Sequence, residues 1–187
     1  MQIKFWNFTY FMRLFIAVDV PESMQNYLAA LQGFLPNAHQ SFAHSFHLTL
    51  KFIGEVSESQ MQYVREKLAD INFSQFSLRL DKVGFFPNEA NPHVVWIGVA
   101  PHEPFKQLKQ QVDAVLAGLF PPESTFTPHV TLARIKSSDK YAARTRLVIK
   151  PLSFEVNEFV LYESKPNHRG KEYNPLEKFL LFSMEIG

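Results

Sequence analysis

The chain contains no cysteine, which removes disulfides, thiolate nucleophiles and cysteine-ligated metals and fits a reducing compartment, so a cytoplasmic setting is expected. It also lacks an excess of either charge. Nineteen Lys and Arg stand against 18 Asp and Glu, a formal net charge of +1, so no whole-molecule field exists to grip long nucleic acid and any such contact has to be local. Nor is there a long uninterrupted apolar run. The opening MQIKFWNFTYFMRLFIAV is broken by Lys4 and Arg13 and closed by Asp19, short of the roughly 18 apolar residues a spanning helix needs. No membrane association is therefore expected, and residues 1–11 read either as an extension ahead of a natural first strand near Met12 or as the product of an upstream start codon.

What is present is 187 residues with 46% apolar content, enough to bury a proper core, so one compact domain or two intimately packed lobes over residues 1–187, and not separate domains, is expected. Residues 13–19 form an apolar strand, and Pro21 opens a helix to about Leu31. His47 to Ile53 alternates as a strand that Gly54 is expected to break, and Ser57 with Gln60 gives the capping box of a helix to about Ala69. Phe76–Phe86 and His93–Val99 read as a hairpin joined by a Pro/Asn-rich turn, a helix follows over Glu103–Leu119, and a strand begins near His129. The tail gives strands over Ser153–Glu163 and Glu177–Ile186 around a polar turn, Ser164–Lys171. Hairpins outnumber βαβ units, which predicts an α+β fold with mainly antiparallel sheets.

One tetrapeptide pattern recurs: His47-Leu48-Thr49-Leu50 and His129-Val130-Thr131-Leu132. In a strand, residues i and i+2 share a face, so each copy offers an imidazole and a hydroxyl on one side and apolar anchors on the other. If the two strands face each other across a cleft, the four side chains suit in-line displacement at phosphorus. One neutral imidazole takes a proton from water, the other gives one to the departing oxygen, and Thr49 and Thr131 donate to non-bridging oxygens. A lone H-x-T is more often a surface or hydrogen-bonded histidine; two copies with similar flanks, the second after Phe126-Thr127-Pro128, argue for chemistry. Neither copy carries the H-x-H, H-E-x-x-H or carboxylate pattern of a metal site, so no metal and no cofactor are expected.

Further candidates surround these strands. Lys51 continues the parity of His47 and Thr49 and is expected in the same cleft, whereas Arg134 falls with Val130 and Leu132 and reaches a phosphate only if a bulge re-aims it. Phe46 and Phe126 are candidates for stacking a base. His168 lies with Lys165, Arg169 and Lys171 in the polar turn, which either is solvated or folds over a phosphate. His93 is either a cleft residue or a surface one. Six basic residues between Arg134 and Lys150, against Asp139 alone, form either a local RNA-backbone patch or a solvated helix face.

With RLFIAVDVP at 13–21, HLTLKFIGEV at 47–56, VVWIGV at 94–99, FTPHVTLAR at 126–134 and LYESKPNHRGKEY at 161–173, the chain resembles the two-histidine (2H) phosphoesterases, within them the RNA 2′,3′-cyclic phosphodiesterases, also called 2′-5′ RNA ligases. The resemblance runs along nearly the whole chain from Met12. It implies a bilobal fold with pseudo-twofold symmetry around a central cleft and helices outside. It also implies hydrolysis of 2′,3′-cyclic phosphates on RNA or nucleotide ends to 2′-phosphates, and reverse ligation in some members. It gives His47 as proton donor and His129 as proton acceptor. RNA ends or cyclic nucleotides are then the partners, with no obligatory protein partner. The rivals are a non-catalytic nucleotide or RNA-end binder, and the same chemistry on ADP-ribose cyclic phosphate or 2′-5′-linked oligonucleotides. Asn91-Pro92-His93 stands where many relatives carry a basic residue, which bears on substrate preference.

Overall fold

A computed structural model describes residues 11–35, 40–135, 147–168 and 170–183. Nine strands and three helices occur among them, in the order β1 (Met12–Asp19), α1 (Glu22–Gln32), β2 (Gln40–Phe42), β3 (His47–Val56), α2 (Glu58–Ala69), β4 (Phe76–Phe86), β5 (Val94–Ala100), α3 (Glu103–Leu116), β6 (His129–Ile135), β7 (Ser153–Val156), β8 (Glu158–Asn167) and β9 (Gly170–Leu180). The class is α+β. Every ladder between these strands is antiparallel, and their order is β7-β4-β5-β6-β3-β1-β8-β9, with β2 added along β6.

The sheet is continuous, but only through one residue pair at its middle. β3 meets β6 at Leu48↔Val130, after which β2 takes over the edge of β6 through Ser41↔Arg134 and Phe42↔Ala133. The two sheets read from the sequence are thus two four-stranded wings joined at one rung: β9-β8-β1-β3 and β6-β5-β4-β7. Because β3 and β6 run antiparallel, their crossing has a local twofold relation, and each wing places its H-x-T strand at the joint.

Helices cover one face. Leu48, Leu50, Val130 and Leu132 are 0% exposed and join Leu28, Leu68, Phe105, Leu108 and Val112 in one hydrophobic cluster. The local signals that place the helices are the ones legible in the chain: Pro21 ahead of α1, Pro104 in the first turn of α3, and at α2 a capping box in which Ser57 Oγ accepts from Gln60 N and Gln60 Oε1 accepts from Ser57 N. No helix among the described residues is long and apolar enough to cross a membrane.

Five boundaries differ from the sequence reading. Gly54 does not end β3: it takes φ 90° beside a bulge at Ile53, a conformation glycine adopts without strain, and the strand continues to Val56. The helix α3 stops at Leu116. The strand read over Ser153–Glu163 is interrupted at Asn157, whose carbonyl accepts from Leu181 N. The polar turn expected over Ser164–Lys171 is mostly strand, paired through Ser164↔Tyr173, Lys165↔Glu172 and Pro166↔Lys171; its outer residues are largely exposed, so polarity there marks a solvated ribbon and not a loop. The last strand, expected over Glu177–Ile186, is instead β9, which begins at Gly170 as the partner of β8 and ends at Leu180, where the backbone of Leu181 turns to Asn157. Residues 1–10, Lys136, Asp139, Lys140, Arg144, Arg146, Arg169 and 184–187 lie outside the described residues.

Candidate active site

The rung at Leu48↔Val130 decides the site. With both leucine-rich faces turned to the helices, His47, Thr49, His129 and Thr131 face the other way, and all four line one cavity of about 230 Å³. The antiparallel crossing puts Thr49 on the side of His129 and His47 on the side of Thr131. Two further cavities flank the first in that arrangement: one of about 210 Å³ bordered by Thr49 and His129, and one of about 640 Å³ bordered by His47 and Thr131.

Just beyond each motif the strand carries a bulge. The pairing of β3 with β1 skips Leu50, between Thr49↔Ala17 and Lys51↔Ile16, and the pairing of β6 with β5 skips Leu132, between Thr131↔Trp96 and Ala133↔Val95. Each extra residue inverts the parity of the strand beyond it. Lys51 therefore points inward, 1% exposed, and Phe52 turns into the cleft; Ala133 is buried and Arg134 turns into the cleft. The expectation for Lys51 is thus corrected. Its Nζ donates to Asp113 Oδ1 at 2.7 Å and to the Pro121 carbonyl at 2.8 Å, within a buried network in which Lys109 pairs with Asp113 and Glu123. The bulge at Leu132 has its own support, since Gln32 Nε2 donates to the carbonyls of Leu132 (2.9 Å) and Ala43 (2.8 Å).

The other expected contacts divide. Phe46 is 5% exposed and belongs to the core, because it precedes His47 by one residue and shares the inward face with Leu48. Phe126 stacks on Phe105 at 5.8 Å under the Lys109 ammonium and borders only the small flanking cavity. His168 sits exposed at the β8–β9 turn and lines none of the three cavities; nor does His93, which is exposed beside Asn91.

Each imidazole instead has an aromatic setting that the sequence did not single out. Around His47 stand Phe15 (ring centroids 5.2 Å apart) and Tyr173 (5.2 Å, edge-on); around His129 stand Phe86 (4.9 Å, edge-on) and Trp96 (5.8 Å). Trp96 fits because its partner across the ladder is Gly84: a Cβ there would lie 2.2 Å from the indole. The alternation of β1, β4, β5 and β9 could have flagged these residues as sharing a sheet face, but not which face borders the cleft.

Burial acts on both rings. It lowers the His129 pKa, against the raising effect of a hydrogen bond from Nδ1 to the Thr127 carbonyl (2.8 Å), and Arg134 lowers it further. For His47, burial first, then His129 and Arg134, push the pKa down to about 4. Among the described residues no three His, Asp or Glu lie placed to hold a metal ion.

Known proteins share this arrangement of chain. The profile of the 2′-5′ RNA ligase superfamily matches residues 20–167. An RNA 2′,3′-cyclic phosphodiesterase of Archaeoglobus fulgidus is 33% identical, with 90% of this chain and 99% of the relative covered. The protein of the same name from Thermus thermophilus is 35% identical, over 91% of this chain and 90% of the relative. Among solved structures, one of a Thermus thermophilus protein superposes with a TM-score of 0.81 at 31% identity, covering 93% of this chain and 100% of that one. Escherichia coli LigT complexed with 3′-AMP superposes with a TM-score of 0.77 at 28% identity, covering 92% and 99%. Profile, relatives and superposed structures all run through both wings and the joint between them, and the chain belongs to the 2′-5′ RNA ligase superfamily.

Proposed function

We propose that the protein opens 2′,3′-cyclic phosphates on RNA or nucleotide ends to 2′-phosphates, in the cytoplasm, with His47 and His129 as the acid/base pair. The observation that carries this reading is the meeting of the two H-x-T strands at one rung, which turns two imidazoles and two hydroxyls toward a single cavity. Relatives at about one-third identity bear the name of that activity, and LigT has been solved with 3′-AMP and with phosphate.

The geometry supports the following chemistry. With Nδ1 of His129 donating to Thr127, the lone pair of the neutral ring is on Nε2, which takes the proton of water as its oxygen attacks phosphorus. The bond from phosphorus to O3′ breaks, and His47 supplies the proton to O3′. Thr49, Thr131 and the Arg134 guanidinium stabilise the charge on the non-bridging oxygens. Joining a 5′-hydroxyl to the cyclic phosphate is the same displacement with another nucleophile, so reverse ligation would use the same site.

The test is turnover of 2′,3′-cyclic nucleotides and RNA ends, with the products resolved as 2′- or 3′-phosphates. His47→Ala and His129→Ala each lower kcat by about 10²–10⁴. Wild-type turnover by His129→Ala would sink the proposal. ADP-ribose cyclic phosphate and 2′-5′-linked oligonucleotides belong in the same panel.

A further inference from the structure

The two cavities beside the reacting cleft are unlike each other. The one on the Thr49–His129 side is small, about 210 Å³, and bordered by Phe52, Phe86 and Phe126. The one on the His47–Thr131 side is about 640 Å³, within the range of roughly 300–1,000 Å³ that ligand sites occupy, and it runs out between the segment after β2 and the tip of the β8–β9 hairpin. Its walls carry Arg134 and Lys171, both of which also border the reacting cleft, together with Phe42, His44 and Tyr173.

Three cations, Arg13, Arg134 and Lys171, converge on this end of the cleft, and none forms an ion pair among the described residues. Their crowding is felt: the Lys171 ammonium has its pKa lowered by burial and by the Arg13 and Arg134 charges. Glu172 also lines the groove, beside Lys171, yet pairs with none of the three; like charges without an ion pair beside an exposed aromatic ring form the pattern by which single-stranded nucleic acid is held, with cations along the backbone and a ring under a base. Phe42 is that ring, 39% exposed.

Direction follows from the reaction proposed above, on which this inference rests. If His47 protonates the departing O3′, the reacting ribose stands on the His47 side, and its 5′-oxygen leads away from the joint. We infer that the groove between the β2 segment and the β8–β9 hairpin is a subsite for the nucleotide immediately 5′ of the reacting one: Lys171 holds the connecting phosphate, next to the Arg134 guanidinium that faces the reacting one, and Phe42 stacks the upstream base. The protein therefore discriminates RNA ends from free cyclic mononucleotides.

Three substrates separate the contributions: adenosine 2′,3′-cyclic phosphate, its 5′-phosphorylated form, and the ApA dinucleotide ending in the cyclic phosphate. kcat/KM rises about tenfold with the 5′-phosphate and about tenfold again with the second nucleoside. Lys171→Ala removes most of the first gain and flattens the salt dependence of the two larger substrates; Phe42→Ala removes most of the second. Equal kcat/KM for all three substrates, or variants that lower all three by the same factor, overturn the subsite. Titration with the corresponding 2′-phosphates, as mononucleotide and as dinucleotide, reads the groove without turnover. If none of the substrates is hydrolysed but the dinucleotide product binds about tenfold tighter and loses this in Phe42→Ala, the proposed reaction fails and the groove stands; equal binding overturns the groove itself.

Discussion

His47 stands under opposing demands. Its surroundings drive the pKa to about 4, yet the proton donor proposed for the reaction must hold its proton near neutral pH. In the proposed reaction a phosphate anion among Thr49, Thr131 and Arg134 resolves the conflict, because negative charge beside the ring opposes the effect of burial, the larger cause, as well as the field of His129 and Arg134. Binding a nucleotide 2′-phosphate at pH 7 should therefore take up about one proton, measured calorimetrically in buffers of different ionisation enthalpy, and the uptake should vanish in His47→Gln. No uptake by the wild type would contradict the donor role. The same shift acts on stability. With the folded pKa below the unfolded value of about 6.5, the unfolded chain binds more protons between pH 4 and 6.5, so His47 lowers stability as pH falls through that window. Asp19, raised by burial, acts with the opposite sign, but it is common to both proteins, so the shallower acid slope of His47→Gln reports His47. At this scale the sequence was most informative: residue identity and i, i+2 spacing named the four cleft side chains. It could not name Phe15, Phe86, Trp96 or Tyr173, which reach the imidazoles from other strands.

At the scale of elements, the bulges at Leu50 and Leu132 govern what each strand presents. Strict alternation sends Lys51 to the cleft and Arg134 away from it; one inserted residue exchanges the outcomes, and no glycine at either bulge announces it. The inverted Lys51 then needs a buried counter-charge, which Asp113 on α3 provides at 14% exposure while also pairing with Lys109. Asp113→Ala leaves two buried ammonium groups without that partner and should cost about 3–5 kcal/mol by urea denaturation. A cost under about 1 kcal/mol would mean that the network is better solvated than its exposure implies. In the other wing the pairing of β4 with β5 depends on Gly84. Gly84→Ala forces the Trp96 indole away from a ring position 5.8 Å from His129, so kcat should fall about tenfold or more with KM little changed. Unchanged kcat would show that His129 keeps its aim without the indole.

The whole molecule is two antiparallel wings meeting at Leu48↔Val130, a joint that the chain order alone does not disclose. Nearly every strand and helix was legible from periodicity, caps and turn residues, since those signals are local. The order β7-β4-β5-β6-β3-β1-β8-β9 was not, because it rests on pairings between residues far apart in the chain, such as β1 with β8. Past the single rung the backbones of β3 and β6 part, which leaves the width that a sugar-phosphate requires between strands otherwise about 4.8 Å apart. Nucleotide binding should accordingly slow amide hydrogen exchange along β3 and β6 by about tenfold at roughly 10 Kd of ligand, more than along β4 or β9. Uniform slowing would assign the effect to global stabilisation. In the proposed complex an anion gripped by Thr49 from one half and Thr131 from the other becomes a noncovalent cross-link at the waist of the protein, so that the ligand contributes to holding together the two surfaces that bind it.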